Sequence, residues 1–400
     1  MSAAVLLWCA GFVLASWPSW GPLMLVDDLS ASTGVHGLVV AAIAAGALLC
    51  KRPESVRIQP RTVFITILLF LAWSGCSLFW TTAGDQRAAV GYWGVAAAEV
   101  LGVALLARRA DPAAGCVRFA EGLVAGATVL SLVAIFRFGT DAGRLGDAMV
   151  LHPNLVAHWA AIGIMTCAAL ITSRSSMRLV YGIAGLFLTC VVVSTFSKTV
   201  MLALPIAMAA FLAVLFRRRA AWLTGLGVMV TAFVIAAQNG AVDYLSDYMA
   251  AQGRLETLSG RTILWDETWQ QITAAKWLGH GFMSFRDQVP QIFTVRLVHA
   301  HNELLNIWFA LGAIGVVIVA AIYAVALWQV VAAIRNRRTD IAGLTLALWV
   351  FCVIRGLTEA SPTTIVLPLP MLVILSTWAQ CRVSEQLPPS RITALRPLVV

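Results

Sequence analysis

HAHNELLNIWFALGAIG, residues 299–315, turns from polar to apolar within five positions. His299-Ala300-His301-Asn302-Glu303 closes a long polar segment that begins at Gly240, and the residues after it open a continuous apolar run. The segment contains SGRTILWDETWQ (Ser259–Gln270) and WLGHGF (Trp277–Phe282). Polar, charged and aromatic side chains are nowhere else in the chain so closely grouped. The junction therefore reads as a large loop feeding a membrane span, and the rest of the chain reads as the frame around it.

The composition supports that frame. The chain has 400 residues, 60% of them hydrophobic and only 12% charged, against about 25% charged in ordinary soluble domains. Apolar runs near the ~20 residues needed to cross a bilayer recur from end to end. They are continuous rather than alternating, which excludes a β-barrel, the other design that satisfies the backbone in lipid. The expected fold is all-α: a polytopic membrane protein of about 12 transmembrane helices. The expected spans are 3–17, 35–50, 62–80, 88–107, 119–137, 154–172, 179–194, 199–216, 220–239, 303–326, 341–357 and 364–380. This divides the chain into N-terminal helices (1–239), one large loop (240–302), C-terminal helices (303–380) and a tail (381–400). Met1 to Trp17 reads as a first span, since it lacks a positive region and a small-residue cleavage site. The eight cysteines lie mostly in apolar runs or at basic ends, and no CxxC pair suggests a metal.

Orientation follows from the basic residues. One alternating set of connections, around 51–61, 108–118, 174–178, 217–219, 335–338 and 382–396, carries 18 of the 28 Lys and Arg residues against four acids. That side is expected to be cytoplasmic, with both termini. The net charge of +9 is mostly this signal, and no basic face interleaved with aromatics points to nucleic acid. All six histidines fall on the opposite side or in the outer part of a span. In the large loop, Arg261, Leu264, Trp265, Thr268 and Trp269 share one face at helical spacing, so a short amphipathic helix on the outer membrane surface is expected there.

Several outer residues suit chemistry. Arg261, beside two tryptophans, offers a planar fork that matches a phosphate. Interfacial snorkelling is the plainer reading of the same residue. His301 stands where the loop enters a span and has the residue type of a general base, with Asn302 beside it; helix capping is the structural alternative. His299, two residues away, is expected to point elsewhere on a helix. Lys198, in the STFSKT turn (Ser194–Thr199), is a cation flanked by hydroxyls. Arg355 lies near the outer end of a late span, where a charge implies a partner or a function; pairing with Glu359 at i, i+4 would satisfy it. His152-Pro153-Asn154 marks another outer helix entry, which Asn154 could cap. Glu99 and Glu121 could each serve as a proton-relay residue, but with no obvious basic partner in the sequence structural hydrogen bonding is the plainer reading. No phosphate-binding glycine loop, dinucleotide fingerprint or acidic metal cluster is present in the sequence, so no cofactor and no metal are expected.

These motifs, in this order and on one side, resemble the O-antigen ligase and O-antigen polymerase superfamily of bacterial inner-membrane glycosyltransferases. His301-Asn302, nine residues, then Gly312-Ala313-Ile314-Gly315 is similar to the family's H-N-x9-G-x-x-G signature at the end of its large periplasmic loop. Ser259-Gly260-Arg261 followed by Trp265, the WLGHGF turn, His152-Pro153-Asn154 and the Ser194–Thr199 turn match further outer motifs. The resemblance implies a multi-pass protein of the inner membrane with its active face periplasmic. It implies a donor glycan on undecaprenyl diphosphate and an acceptor hydroxyl, on lipid A-core for a ligase or on another glycan for a polymerase, joined with inversion and without a metal. His301 would be the catalytic base and Arg261 would stabilise the leaving diphosphate. Lys198, Arg355, Asn302, His152 and Asn154 would bind substrate, Lys198 where ligases often carry arginine. The complete H-N-x9-G-x-x-G spacing favours a ligase over an O-antigen or exopolysaccharide polymerase. A secondary transporter is the alternative of another class, but paired halves and broken helices near the midplane are not visible in the sequence.

Overall fold

A computed structural model describes residues 2–23, 29–50, 62–141, 143–147, 150–173, 175–216, 261–285, 299–335, 339–357, 359–360 and 370–375. The expected span 220–239, most of 364–380, much of the large loop and the 381–400 tail lie outside the described residues. The chain is all-α. Its helices are α1 (Ala3–Ser16), α2 (Leu29–Leu49), α3 (Thr62–Cys76), α4 (Gln86–Ala107), α5 (Pro112–Val133) and α6 (Pro153–Ser173). They continue with α7 (Arg178–Thr195), α8 (Lys198–Phe216), α9 (Arg261–Ala274), α10 (Glu303–Arg335) and α11 (Thr339–Gly356). Among the described residues, seven helices are long and apolar enough to cross a membrane, and three shorter apolar helices join them. The one strand pair among the described residues is a two-residue hairpin, β1 (Thr140–Asp141) with β2 (Arg144–Leu145), between α5 and α6.

Small residues let these helices meet backbone to backbone. On α1 and α5, a Cβ at Gly11 would lie 2.2 Å from the Phe119 carbonyl oxygen, and one at Gly122 would lie 2.1 Å from that of Trp8. In lipid there is no water to expel from between helices, so such close packing is a main source of helix association. Two acids lacking an evident partner in the sequence acquire one here. Glu99 on α4 meets His36 of α2 at 3.7 Å, and Glu121 takes hydrogen bonds from Arg118 and Tyr181.

One break positions the site. Within α10, Gly312 adopts φ 66°, ψ −172°, a left-handed conformation natural to glycine. The break stops the helical ladder and leaves carbonyls of the preceding turn without intrahelical partners. The WLGHGF turn supplies them: His280 N–H donates to Phe309 O and Gly281 N–H to Ala310 O, both at 2.8 Å. Trp73 of α3 donates its indole N–H to Leu311 O. Ala313 N–H donates in return to Lys276 O. A Cβ at Gly312 would sit 2.1 Å from Trp277 O, and one at Gly279 2.5 Å from Gly312 N, so both positions require glycine. The H-N-x9-G-x-x-G spacing thus has a mechanical meaning, since its first glycine is where the loop docks into the helix.

The docked loop carries α9 with it. Leu264 and Ile272 pack on Phe285, Ala300 and Phe309 in a small apolar cluster separate from the main core, and each such burial contributes about 1.5–3 kcal/mol. The amphipathic helix expected on the membrane surface therefore has its apolar face on protein. Trp269, expected on that face, is 46% exposed and touches Trp308 edge-on.

Candidate active site

The site lies at the end of the bundle opposite Arg178, at the start of α7, and Arg335, at the end of α10. There α6, α8 and α10 begin, α7 and α11 end, and the hairpin and α9 converge. Its centre is Glu359, three residues past α11 and 4% exposed. One carboxylate oxygen, Oε1, is 2.9 Å from His301 Nδ1 and 3.7 Å from His299 Nε2. The other, Oε2, accepts a 2.6 Å hydrogen bond from Asn154 Nδ2 and lies 4.0 Å from Arg261 Nη2.

Each partner is placed by its local chain. Asn302 is the true cap of α10: its Oδ1 accepts from Leu305 N–H at 3.1 Å, and its Nδ2 donates to Leu357 O at 3.1 Å. His301, immediately before, has φ 49°, a region uncommon for a residue with a side chain. That turn aims its ring at Glu359 rather than along the helix. It also corrects the expectation for His299. Residues 299–302 are not helical, so the two imidazoles face one another with ring centres 4.3 Å apart. His299 Nδ1 accepts the His301 N–H. Arg261 is the first residue of α9, and α9 is tied to this turn by the Trp265 indole N–H donating to Ala300 O at 2.9 Å.

Asn154 departs from its expected capping role. The ring of His152 accepts the Asn154 N–H, at Nδ1 and 3.2 Å. This leaves the Asn154 side chain for Glu359. Its Oδ1 accepts from Ser197 Oγ at 2.9 Å and from Arg144 Nη2 at 3.1 Å. Arg144, on β2, also donates from Nε to the Thr195 carbonyl at the end of α7. Lys198, the exposed first residue of α8, is adjacent to Ser197. Arg355, in the last turn of α11, is buried. It is not ion-paired to Glu359, whose ion pairs among the described residues are with Arg261, His299 and His301, and its Nε has no hydrogen-bond partner among them. Glu359, Arg144 and Ser197 are thus the site residues that sequence reasoning missed.

The electrostatics are those of one anion among cations. Burial alone would raise the Glu359 carboxyl, but the His301 hydrogen bond and the electrostatic influence of His301, His299 and Arg355 outweigh it and hold the group well below the usual carboxylate range. His299 is pushed down to about 3, first by burial and then by the neighbouring His301, so it is neutral at ordinary pH. Ligand atoms of His299, His301 and Glu359 all lie within 4.8 Å of one another, a spacing a metal ion could use. Against that use, Glu359 is already engaged by two hydrogen bonds, and arginine charges surround the group.

Fold and site together define a polytopic membrane protein with a cluster of histidine, carboxylate and arginine at one end of its helices. A family model described as "O-Antigen ligase" matches residues 183–320. The chain is also similar to a protein of Pseudomonas aeruginosa named "O-antigen ligase", 26% identical over 374 residues, covering 87% of this chain and 86% of that one. Both comparisons support the resemblance to the O-antigen ligase and polymerase superfamily.

Proposed function

We propose that the protein is an O-antigen ligase that moves a glycan from undecaprenyl diphosphate to a hydroxyl of lipid A-core at the periplasmic face of the inner membrane. The observation that carries this reading is a part-exposed imidazole, His301, and an arginine, Arg261, both drawn to one buried carboxylate at the ends of the helices. The acceptor oxygen attacks the anomeric carbon of the donor from the face opposite its phosphate. The carbon–phosphate-oxygen bond breaks with inversion, the hydroxyl proton passes to His301, and undecaprenyl diphosphate leaves. Arg261, 24% exposed at its side chain, takes up charge on the leaving diphosphate, an electrostatic role of the kind that contributes most when donors are held in place. Lys198 and Arg355 add cationic charge to the same end. Asn302, Asn154 and His152, expected to bind substrate, have polar atoms engaged within the chain, which supports a framing role for them.

The reaction so written needs no metal. Chelation with EDTA is expected to leave the rate within twofold of the untreated protein. A loss restored by a divalent ion would instead make His299, His301 and Glu359 a metal centre.

The glycan profile of a strain lacking the protein tests the reading. Bare lipid A-core with long glycan stranded on the carrier is the expected result, corrected by wild type and not by His301→Ala. Core bearing a single repeat would mean an O-antigen polymerase. Normal lipopolysaccharide with lost secreted polymer would mean an exopolysaccharide polymerase. No change in any of these would remove glycosyl transfer and favour a transporter.

A further inference from the structure

We infer that Glu359 is a positioning residue for His301, holding the ring so that Nδ1–H donates to the carboxylate and Nε2 presents its lone pair to the acceptor hydroxyl. This rests on the glycosyl-transfer reading given above. A neutral imidazole has one donor and one acceptor nitrogen, and the hydrogen bond made by one decides the role of the other. The 2.9 Å contact between His301 Nδ1 and Glu359 Oε1 is that bond.

Three further observations give the carboxylate this role. Glu359 is itself fixed from its other oxygen: Asn154 donates to Oε2 at 2.6 Å and is in turn held by Ser197 and Arg144. The start of α6, the α7–α8 turn and the hairpin therefore converge on one oxygen, while the loop histidine takes the other. Second, His301 adopts φ 49°, a conformation uncommon for a residue with a side chain, and the bond to Glu359 is what the side chain gains from it. Third, His299 does not compete. Its Nδ1 accepts a backbone N–H, so its neutral ring carries the proton on Nε2, 3.7 Å from Oε1. Glu359 is thus buried at a span end, with its side-chain hydrogen bonds among the described residues directed to the base and to Asn154.

The test uses the purified full-length protein in lipid nanodiscs, with carrier-linked glycan as donor and lipid A-core as acceptor. Glu359→Gln keeps the shape and removes the charge; Glu359→Asp keeps the charge and withdraws it. The groups facing the pair are Arg261 of α9, Arg144 of the hairpin, Arg355 of α11, and the imidazoles His299 and His152, and all are retained in both variants. The expected result for Gln is a kcat about 100-fold lower with the donor KM within threefold of wild type. The acid limb of its pH–rate profile moves to lower pH, because the anion that favours the protonated ring is gone. Asp is expected to fall between Gln and wild type. Should Gln not fold, as judged by gel filtration and melting, Asp alone decides, with a kcat at least fivefold below wild type at unchanged KM. A Gln or Asp variant with wild-type kcat overturns the inference. So does a loss in Gln with the wild-type pH profile and no recovery in Asp, which is the signature of a structural role. If wild type is active, His301→Ala is inactive and Glu359→Gln is unaffected, this inference alone falls. If wild type transfers no glycan, the functional reading falls with it.

Discussion

Two pairs of histidine and glutamate, each with one buried and one half-buried member, sit at different places in this molecule. His36 and Glu99 meet at 3.7 Å between α2 and α4; His301 and Glu359 meet at 2.9 Å beyond the ends of α10 and α11. The first pair is enclosed by aromatic rings. His36 stacks on Trp17 with centroids 5.0 Å apart, lies edge-on to Trp20, and has no hydrogen-bond partner for Nε2 among the described residues. The second pair is enclosed by polar groups: Asn154, His299 and Arg261 reach Glu359, and Arg144 and Ser197 stand behind Asn154. The same two residue types therefore make a helix-packing contact in one place and a candidate reaction centre in the other. The difference lies in what converges on them. A chain end can bring loops and cations to a carboxylate; the middle of a helix brings only the neighbouring helices.

Substitutions can break this contrast. The largest effect is expected at Arg261. Arg261→Ala should lower kcat/KM by about 100- to 1,000-fold, and Arg261→Lys should recover part of the loss, since the charge returns without the fork. Equal activity in the alanine variant would separate the arginine from the leaving group. The next effect should appear in stability rather than rate. His36→Ala leaves a half-buried Glu99 without its partner, at a cost of about 3 kcal/mol, so it should lower the melting temperature while activity per folded molecule stays within threefold of wild type. Lost activity at an unchanged melting temperature would make the first pair functional as well.

The smallest expected effect sharpens the contrast through pH. His299 is held down to about 3 in the folded protein against an ordinary value of 6.5. Below 6.5 the unfolded chain therefore binds a proton that the folded site refuses, and stability falls with falling pH across the window from 6.5 towards 3. Between pH 6.5 and 5 this amounts to about 1–2 kcal/mol. Melting curves of His299→Asn should show a shallower decline over that window; an unchanged slope would mean that His299 is not buried in its neutral form.

Much of the frame is legible in the sequence, because bilayer thickness imposes a length and lipid imposes a composition on each span. The expected start of α6 at 154 and of α8 at 199 each fall within one residue of the structure. His301 and Arg261 are legible because polar residues at a span entry stand out. Glu359 is less so: as a neighbour of Arg355 in sequence it suggests a local pair, yet its partners are 58, 60, 98 and 205 positions away. The available signal was an acid next to an apolar span end, a costly placement that calls for several partners. Arg144 and Ser197 carry no such signal, since a hairpin arginine and a turn serine are ordinary in isolation. His299 was displaced by treating residues 299–302 as helical, whereas the left-handed turn at His301 folds the two rings together.

Transfer by purified protein tests the reaction centre most directly. Wild type and His301→Ala, matched for melting temperature and reconstituted with carrier-linked glycan and lipid A-core, would be followed by the glycan appearing on the acceptor. The expected result is steady transfer by wild type and a rate at least 1,000-fold lower for His301→Ala, with donor binding retained. Transfer by His301→Ala at a rate near wild type would contradict the assignment of this end of the bundle as the reaction centre.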